Sequence, residues 1–302
     1  MAKGEKSKGD AIMHPSAIRH PHKRGHPMKI KAAVAREVGV VAIEEVTLDP
    51  IKETELLVRM QAAGVCHSDL GSLKGEMRAT PPLVLGHEGA GIVEAVGAKV
   101  TRFRPGDRVM INWLPGCGTC FTCRDGQPNL CERLTTTTFR DLPVEGTSRL
   151  HTHDNVTLKH MLSSATMAEY AIVNEDGAIP LLDGVPFDVG AIIGCAVITG
   201  VGAVINTAQP KPGSSAAVIG CGGVGLNVIQ GCVLAGCYPI IAVDTVDAKL
   251  EFARQMGATH TVNARQTDAI EAMRALTHRG PDYVFDAVGA AVTIRQALQA
   301  AR

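Results

Sequence analysis

A chain of 302 residues, 45% apolar and 20% charged, reads as a soluble globular protein long enough for two domains and an ample core. Thirty basic against thirty acidic side chains give a formal charge of zero, so neither a nucleic-acid nor an anionic membrane partner is expected. Nine cysteines without a secretory signal point to thiols and metal ligands in a reducing, cytoplasmic compartment, and no apolar run reaches the ~18 residues of a membrane span.

Residues 1–27 are rich in Lys, Arg and His, carry Pro15, Pro21 and Pro27, and have no apolar stretch. They are expected to be a disordered extension, or leader text ahead of a natural start at Met28, and not a signal peptide. From Met28 the pattern is strand-like. Residues 29–34 alternate, and 56–60 do so loosely. Gly89 to Gly97 predicts a strand with glycine at both ends. Pro105, Gly106 and Asp107 predict a turn into a strand over 108–111. Residues 28 to about 185 are therefore predicted to be mainly β, with irregular loops and no internal repeats.

Chemistry gathers first at Gly64-Val65-Cys66-His67-Ser68-Asp69. Cys66 can give a thiolate to a metal, Ser68 can hand on a proton, and Asp69 can orient a metal-bound histidine. Alone, this run also fits a buried thiol beside a turn. Gly86-His87-Glu88 and Gly194-Cys195 give it company. Two cysteines and one histidine leave a fourth position open on tetrahedral zinc, as a catalytic site requires.

Four cysteines then fall close together: Cys117, Cys120, Cys123 and Cys131. The intervening residues include Gly116, Gly118, Asp125, Gly126 and Pro128, and offer little that can pack. Four thiolates around a closed zinc site would staple such a loop. Two disulfides are the alternative, but spacings of two residues are short for them. A zinc-ribbon nucleic-acid module is another, without the basic, aromatic surface it would want. Residues 132–165 read as polar and irregular. His151, His153 and His160 are expected in surface loops, with His160 the one that can line a cleft.

From Phe187 the pattern changes. Residues 188–206 are apolar at helical spacing and hold Cys195 and Thr199. A buried strand over 216–219 runs directly into Gly220-Cys221-Gly222-Gly223-Val224-Gly225. A helix follows to about Ala235, then a strand over 240–243 ending in Asp244. Glycines let backbone approach a pyrophosphate, the helix N-terminus faces its charge, and Asp244 can accept hydrogen bonds from ribose hydroxyls. That carboxylate would repel a 2′-phosphate, which favours NAD over NADP. Lys249 can add a second ribose contact, or be a solvated helix lysine. A helix over 250–256, a strand over 259–262, a helix over 267–278, a strand over 283–289 and a last helix complete the pattern. Cys221, Cys232 and Cys237 read as plain buried thiols.

Taken in this order, the motifs identify the chain as similar to the zinc-dependent alcohol dehydrogenases of the medium-chain dehydrogenase/reductase family, from about Met28 to the end. The segment after Cys131, with Glu145, Gly146, Thr147, Ser148 and Arg149, resembles the branch of liver-type and glutathione-dependent formaldehyde dehydrogenases. The resemblance implies an α/β fold: a mainly β, GroES-like catalytic domain over 28–195, then a doubly wound Rossmann domain over 196–302. It implies two zinc ions and NAD. Cys66, His87 and Cys195 would hold the catalytic zinc, and Cys117, Cys120, Cys123 and Cys131 the structural one. Glu88 would sit behind the metal, Asp69 would brace His87, and Ser68 would begin a proton relay. His67 would lie near the pyrophosphate, Thr199 and Val224 near the nicotinamide, and Gly220, Gly222, Gly223, Gly225, Asp244 and Lys249 along the nucleotide. The implied activity is hydride transfer between a primary or aromatic alcohol, or an aldehyde in reverse, and NAD. A homo-oligomer, dimer or tetramer, is implied for the full-length chain.

Two positions depart from the family pattern. Gly71 stands where many relatives end the relay in histidine. Met77, beside Glu76, stands where glutathione-using relatives tend to carry an acid. A doubly wound domain usually has six parallel strands, whereas four can be counted before Arg302. A truncated chain is therefore expected, with residues 283–289 at an exposed edge. The alternatives to an active alcohol dehydrogenase are a non-catalytic zinc-binding fragment and an S-(hydroxymethyl)glutathione dehydrogenase.

Overall fold

The computed structural model describes residues 26–77 and 80–302. The expected N-terminal extension lies, through residue 25, outside the described residues. Strand Met28–Glu37 shows why the first half folds as it does. Its period of two buries Ile30, Ala32 and Val34 and turns Lys29 and Lys31 outward. It pairs antiparallel with Val40–Leu48, setting Ile30 opposite Val46. These two strands, with Leu150–Thr152, Thr157–His160 and Leu83–Val84, close a barrel. A five-stranded sheet lies beside it, in the order Ala178–Pro180, Arg108–Ile111, Gly89–Val96, Glu55–Ala63, Tyr170–Asn174. Ile30, Leu48, Leu57 and Ile172 share one core, so the barrel and the sheet are packed together.

Two barrel strands correct the sequence reading of 132–165 as irregular loop. Leu150–Thr152 and Thr157–His160 are three and four residues long, too brief for alternation to show. His160 is not a surface residue: it is fully buried. Its Nε2 accepts from the Arg149 backbone N–H at 3.2 Å, and burial, then the Arg149 charge, drive its pKa down to about 3. It does not line the cavity beside Ser68 described below. Of the other two, His153 is exposed and His151 is half-buried against Asp49 at 3.0 Å. Arg149 reaches inward, donating to Glu55 Oε1 at 2.8 Å and to the Pro50 carbonyl at 3.1 Å. Both side chains of this ion pair are almost completely buried.

The second half holds a parallel sheet in the order His260–Asn263, Ile240–Asp244, Ala216–Ile219, Tyr283–Asp286. Tyr283–Asp286 is at its edge, as the pattern predicts. Cys221, Cys232 and Cys237 are buried. The helical run Phe187–Ala208 joins the halves, and the division expected after Cys195 falls inside it. The run widens to π-helical hydrogen bonding at Ile193–Val197 and Ala203–Ala208. By length and composition its 22 residues could cross a membrane, which corrects the expectation that no stretch is long enough. Its placement is that of a partly buried core helix. Gly200 lies against Asn227 and Val228 of helix Gly223–Leu234, and Gly231 of that helix lies against Val204. A side chain at Gly200 would collide with helix backbone, so only glycine permits this approach.

Candidate metal centres and nucleotide cleft

Cys66 is the N-cap of a short helix, His67–Leu73, that the sequence pattern did not announce. Asp69 builds the local geometry. Its Oδ2 accepts from the Cys66 backbone N–H at 2.8 Å, and its Oδ1 accepts from the Gly86 N–H at 3.1 Å. The same Oδ1 lies 3.5 Å from His87 Nδ1. One buried carboxylate thus ties together two segments about twenty residues apart and sets the imidazole ring. Gly86, at φ +98°, makes the turn that delivers His87. Gly194 packs directly on the Ile111 carbonyl, and the π-helical turn beyond it presents Cys195.

The donor atoms of Cys66, His87, Glu88 and Cys195 all lie within 4.8 Å of one another. His87 is fully buried, and neither ring nitrogen has a hydrogen-bond partner. With Nδ1 turned to Asp69, Nε2 is the nitrogen left for the cluster. The Cys195 thiol, then His87, pulls the Cys66 thiol down to about 3. Burial opposes charge on His87, but Asp69 and Cys66 outweigh it and raise that group to about 9. Cys195 is pushed far up by its bond to Cys66 and by burial, and Glu88 is pushed up by burial and then by Cys66. The cluster crowds anionic donors that only a cation can neutralise together. An orphaned imidazole nitrogen with two thiols is a donor set that fits zinc.

The lobe cysteines also converge. Cys117 Sγ lies 4.0 Å from Cys123 Sγ, and Cys120 Sγ 3.9 Å from Cys131 Sγ. Zn–S bonds of ~2.3 Å at tetrahedral angles put sulfurs about 3.8 Å apart, whereas a disulfide needs about 2.05 Å. All four are free thiols. Cys117 accepts from the N–H groups of Thr119 and Cys120 at 3.5 and 3.3 Å. With the Thr119 hydroxyl the first cause, its thiol is lowered to about 5. Burial and the neighbouring thiolates push Cys123 up to about 11. This is again a set of sulfurs competing for negative charge, which a cation would relieve.

In the second half, Gly220 at φ +94° turns strand Ala216–Ile219 into helix Gly223–Leu234, whose N-cap is Gly222. A Cβ at Gly222 would meet no protein atom within 4 Å, so that face of the loop is open for a pyrophosphate. Gly225 is closed: a Cβ there would strike the Gly220 carbonyl. Replacing Gly225 by Ala is expected to lower stability by about 1–3 kcal/mol and to weaken NAD binding, measured by thermal unfolding and by NAD titration. Asp244 accepts from the Cys221, Thr245 and Val246 N–H groups at 2.8, 2.7 and 3.0 Å, which fixes its carboxylate at the cleft. Lys249, Thr199 and His67 are exposed, and Val224 is half-buried.

A cavity of about 440 Å³ opens beside Ser68, whose Oγ lies 3.7 Å from Cys66 Sγ. Met77, Trp113, Phe139 and Leu162 give it an apolar side. Trp113 is the chain's single tryptophan and meets the His87 ring edge-on at 6.1 Å between centroids. Sequence reasoning missed Trp113, Ser72 and Asp141 as wall residues. Only the position of Trp113 just past strand Arg108–Ile111 could have signalled it. With Asp69 as the brace, Asp69→Asn is expected to lower zinc affinity at this cluster ten- to hundredfold, read by competition with a chelator, without touching the lobe.

Two family profiles match: "Alcohol dehydrogenase GroES-like domain" over residues 52–183 and "Zinc-binding dehydrogenase" over 223–302. The chain is 37% identical to the S-(hydroxymethyl)glutathione dehydrogenase of Saccharomyces cerevisiae, covering 91% of this chain and 73% of that protein. It is 40% identical to the class-3 alcohol dehydrogenase of Cereibacter sphaeroides, over 90% of this chain and 75% of that one. Its fold is similar to that of benzyl alcohol dehydrogenase from Acinetobacter calcoaceticus, with a TM-score of 0.84, 32% identity, and 91% and 74% of the two chains covered.

Proposed function

The chain belongs to the zinc-dependent alcohol dehydrogenases of the medium-chain family, and from that premise we propose how its residues divide the work. It is an NAD-dependent zinc oxidoreductase acting on small-molecule alcohols. Zinc supplies the charge that lowers the pKa of an alcohol hydroxyl, and the nicotinamide of NAD takes the hydride. Cys66, His87 and Cys195 hold the catalytic metal. Glu88 sits behind it as a buried acid, and Asp69 orients His87. Ser68, beside Cys66 and at the cavity, accepts the alcohol proton. Cys117, Cys120, Cys123 and Cys131 hold the structural zinc. Gly220, Gly222, Gly223 and Gly225 receive the pyrophosphate with His67 near it, Asp244 and Lys249 take the adenosine ribose, and Thr199 and Val224 meet the nicotinamide end.

The observation that carries this reading is the cluster of four donor residues with its unpartnered imidazole nitrogen. The apolar cavity wall suits a primary or aromatic alcohol, or the aldehyde in reverse. The test is NADH formation from benzyl alcohol and from S-(hydroxymethyl)glutathione by purified, zinc-replete chain. Turnover of benzyl alcohol is the expected result. A folded chain with two zincs and no turnover of either would overturn the reading. We place the protein in the cytoplasm, on nine unpaired thiols, and as a homo-oligomer. Fractionation and sedimentation velocity check these two points.

A further inference from the structure

The proton that leaves the alcohol needs a way out, and position 71 carries no side chain to take it. Position 71 is glycine, and a Cβ there would come within 2.9 Å of Met77 Cγ. Met77 occupies the space that a longer side chain would take.

Another route lies open. Ser68 and Ser72 are four residues apart on helix His67–Leu73, so they share a face with Cβ atoms roughly 5–6 Å apart. Both line the cavity, as does Glu76. The Ser72 hydroxyl is fully buried and has no hydrogen-bond partner. A buried hydroxyl left unpaired is costly unless something at the site satisfies it. Two hydrogen bonds of about 2.8 Å through one water span the gap between the two serines. Beyond Leu73 the chain folds back, with the Glu76 N–H donating to the Gly71 carbonyl at 2.8 Å, and Glu76, which lines the cavity, is exposed. Asp141 shares the cavity but is a poor terminus. It is almost completely buried, and its Oδ1 accepts from the Leu162 N–H at 2.9 Å.

We propose that Ser72 and Glu76 are relay residues that carry the substrate proton from Ser68 through cavity water to solvent. The inference rests on the alcohol-oxidising reading above. The alcohol O–H bond breaks and Ser68 Oγ takes that proton as its own passes to the bridging water. The water gives one proton to Ser72 Oγ, and Ser72 gives its proton to the Glu76 carboxylate, directly or through a second water. Glu76 then releases it to bulk solvent. No electrons travel this path; the hydride goes to NAD.

The test follows proton release with a pH-indicator dye in stopped flow. Zinc-loaded chain with NAD is mixed with trifluoroethanol, an alcohol too electron-poor to give up hydride readily. Wild type releases a proton rapidly. Ser72→Ala and Glu76→Gln each slow release about tenfold or more, and the double variant is no slower than the worse single, as expected of groups in series. Added imidazole, a soluble base, restores the rate in Glu76→Gln. Ser72→Ala removes a hydroxyl that has no protein partner, so its thermal stability stays close to that of wild type; a purely structural role would lower it. Release at the wild-type rate in both single variants overturns the relay and leaves the enzyme reading intact. No proton release by zinc-replete wild type overturns the alcohol-oxidising reading and the relay with it.

Discussion

Replacing Cys66 by Ser is expected to cut alcohol turnover by about a thousandfold or more and to leave one zinc per chain instead of two. A serine hydroxyl does not ionise at neutral pH and is a poor partner for zinc, so the site keeps one thiolate and one imidazole. Lewis-acid stabilisation is worth several kcal/mol, and each ~1.4 kcal/mol is a factor of ten in rate. The fold is not at risk. The contact from position 66 to Asp69 Oδ2 is made by the backbone N–H, which serine retains. The lobe shares no ligand with this cluster, so its zinc should stay. Metal analysis with NADH formation checks both halves of the prediction. Loss of both zincs together would show that the two sites are not independent, and retained turnover would remove Cys66 from the site.

Arg149→Ala should be the most destabilising single change away from the metals, by about 3–5 kcal/mol, because it strands a buried carboxylate. Glu55 is 1% exposed, and its remaining support would be the Lys52 N–H at 2.7 Å. The sign of the pH dependence follows. Burial already raises the Glu55 pKa, with the Lys52 N–H and then the Arg149 charge holding it back. Removing Arg149 raises it further. A carboxyl with a raised pKa in the fold favours the folded state in its neutral form. Its contribution is therefore fully present below the unfolded pKa and is lost as pH rises through the folded one. The deficit of Arg149→Ala should accordingly be largest at neutral pH and shrink as pH falls toward the ordinary carboxyl range. Urea unfolding at several pH values measures this. Arg149→Met with Glu55→Gln should recover part of the loss, since no charge is then stranded; an equal deficit at every pH would contradict the account.

The last half of the chain was the more legible. Strand, glycine loop, helix, strand and acid recur at fixed spacing, and parallel strands buried on both faces read as short apolar runs. The observed strands at Ala216–Ile219 and Ile240–Asp244 lie within a residue of the expected ones. The first half was legible only where strands are long. Met28–Glu37 alternates over ten residues, but Thr157–His160 has four, and its last residue is a histidine buried in the barrel. A polar residue driven inside by its neighbours carries no periodic signal of its own. The same limit hid Ser72, whose place in the cavity wall depends on Trp113, about forty residues away in sequence, and on Asp141, nearly seventy away.

Which side chains are able to do chemistry can be read along the chain: the four lobe cysteines by spacing, the glycine loop and Asp244 by their place between strands, and Cys66, His87 and Cys195 by residue type. That the last three meet is a property of the fold. Cys66 and Cys195 are separated by well over a hundred residues, and nothing local sets their distance. The helical run through Cys195 approaches because Gly194 lets it rest on the Ile111 carbonyl, and Asp69 draws residues 66 and 86 to one point. Close packing and one shared carboxylate act between segments, so a pattern read along a single segment cannot contain them.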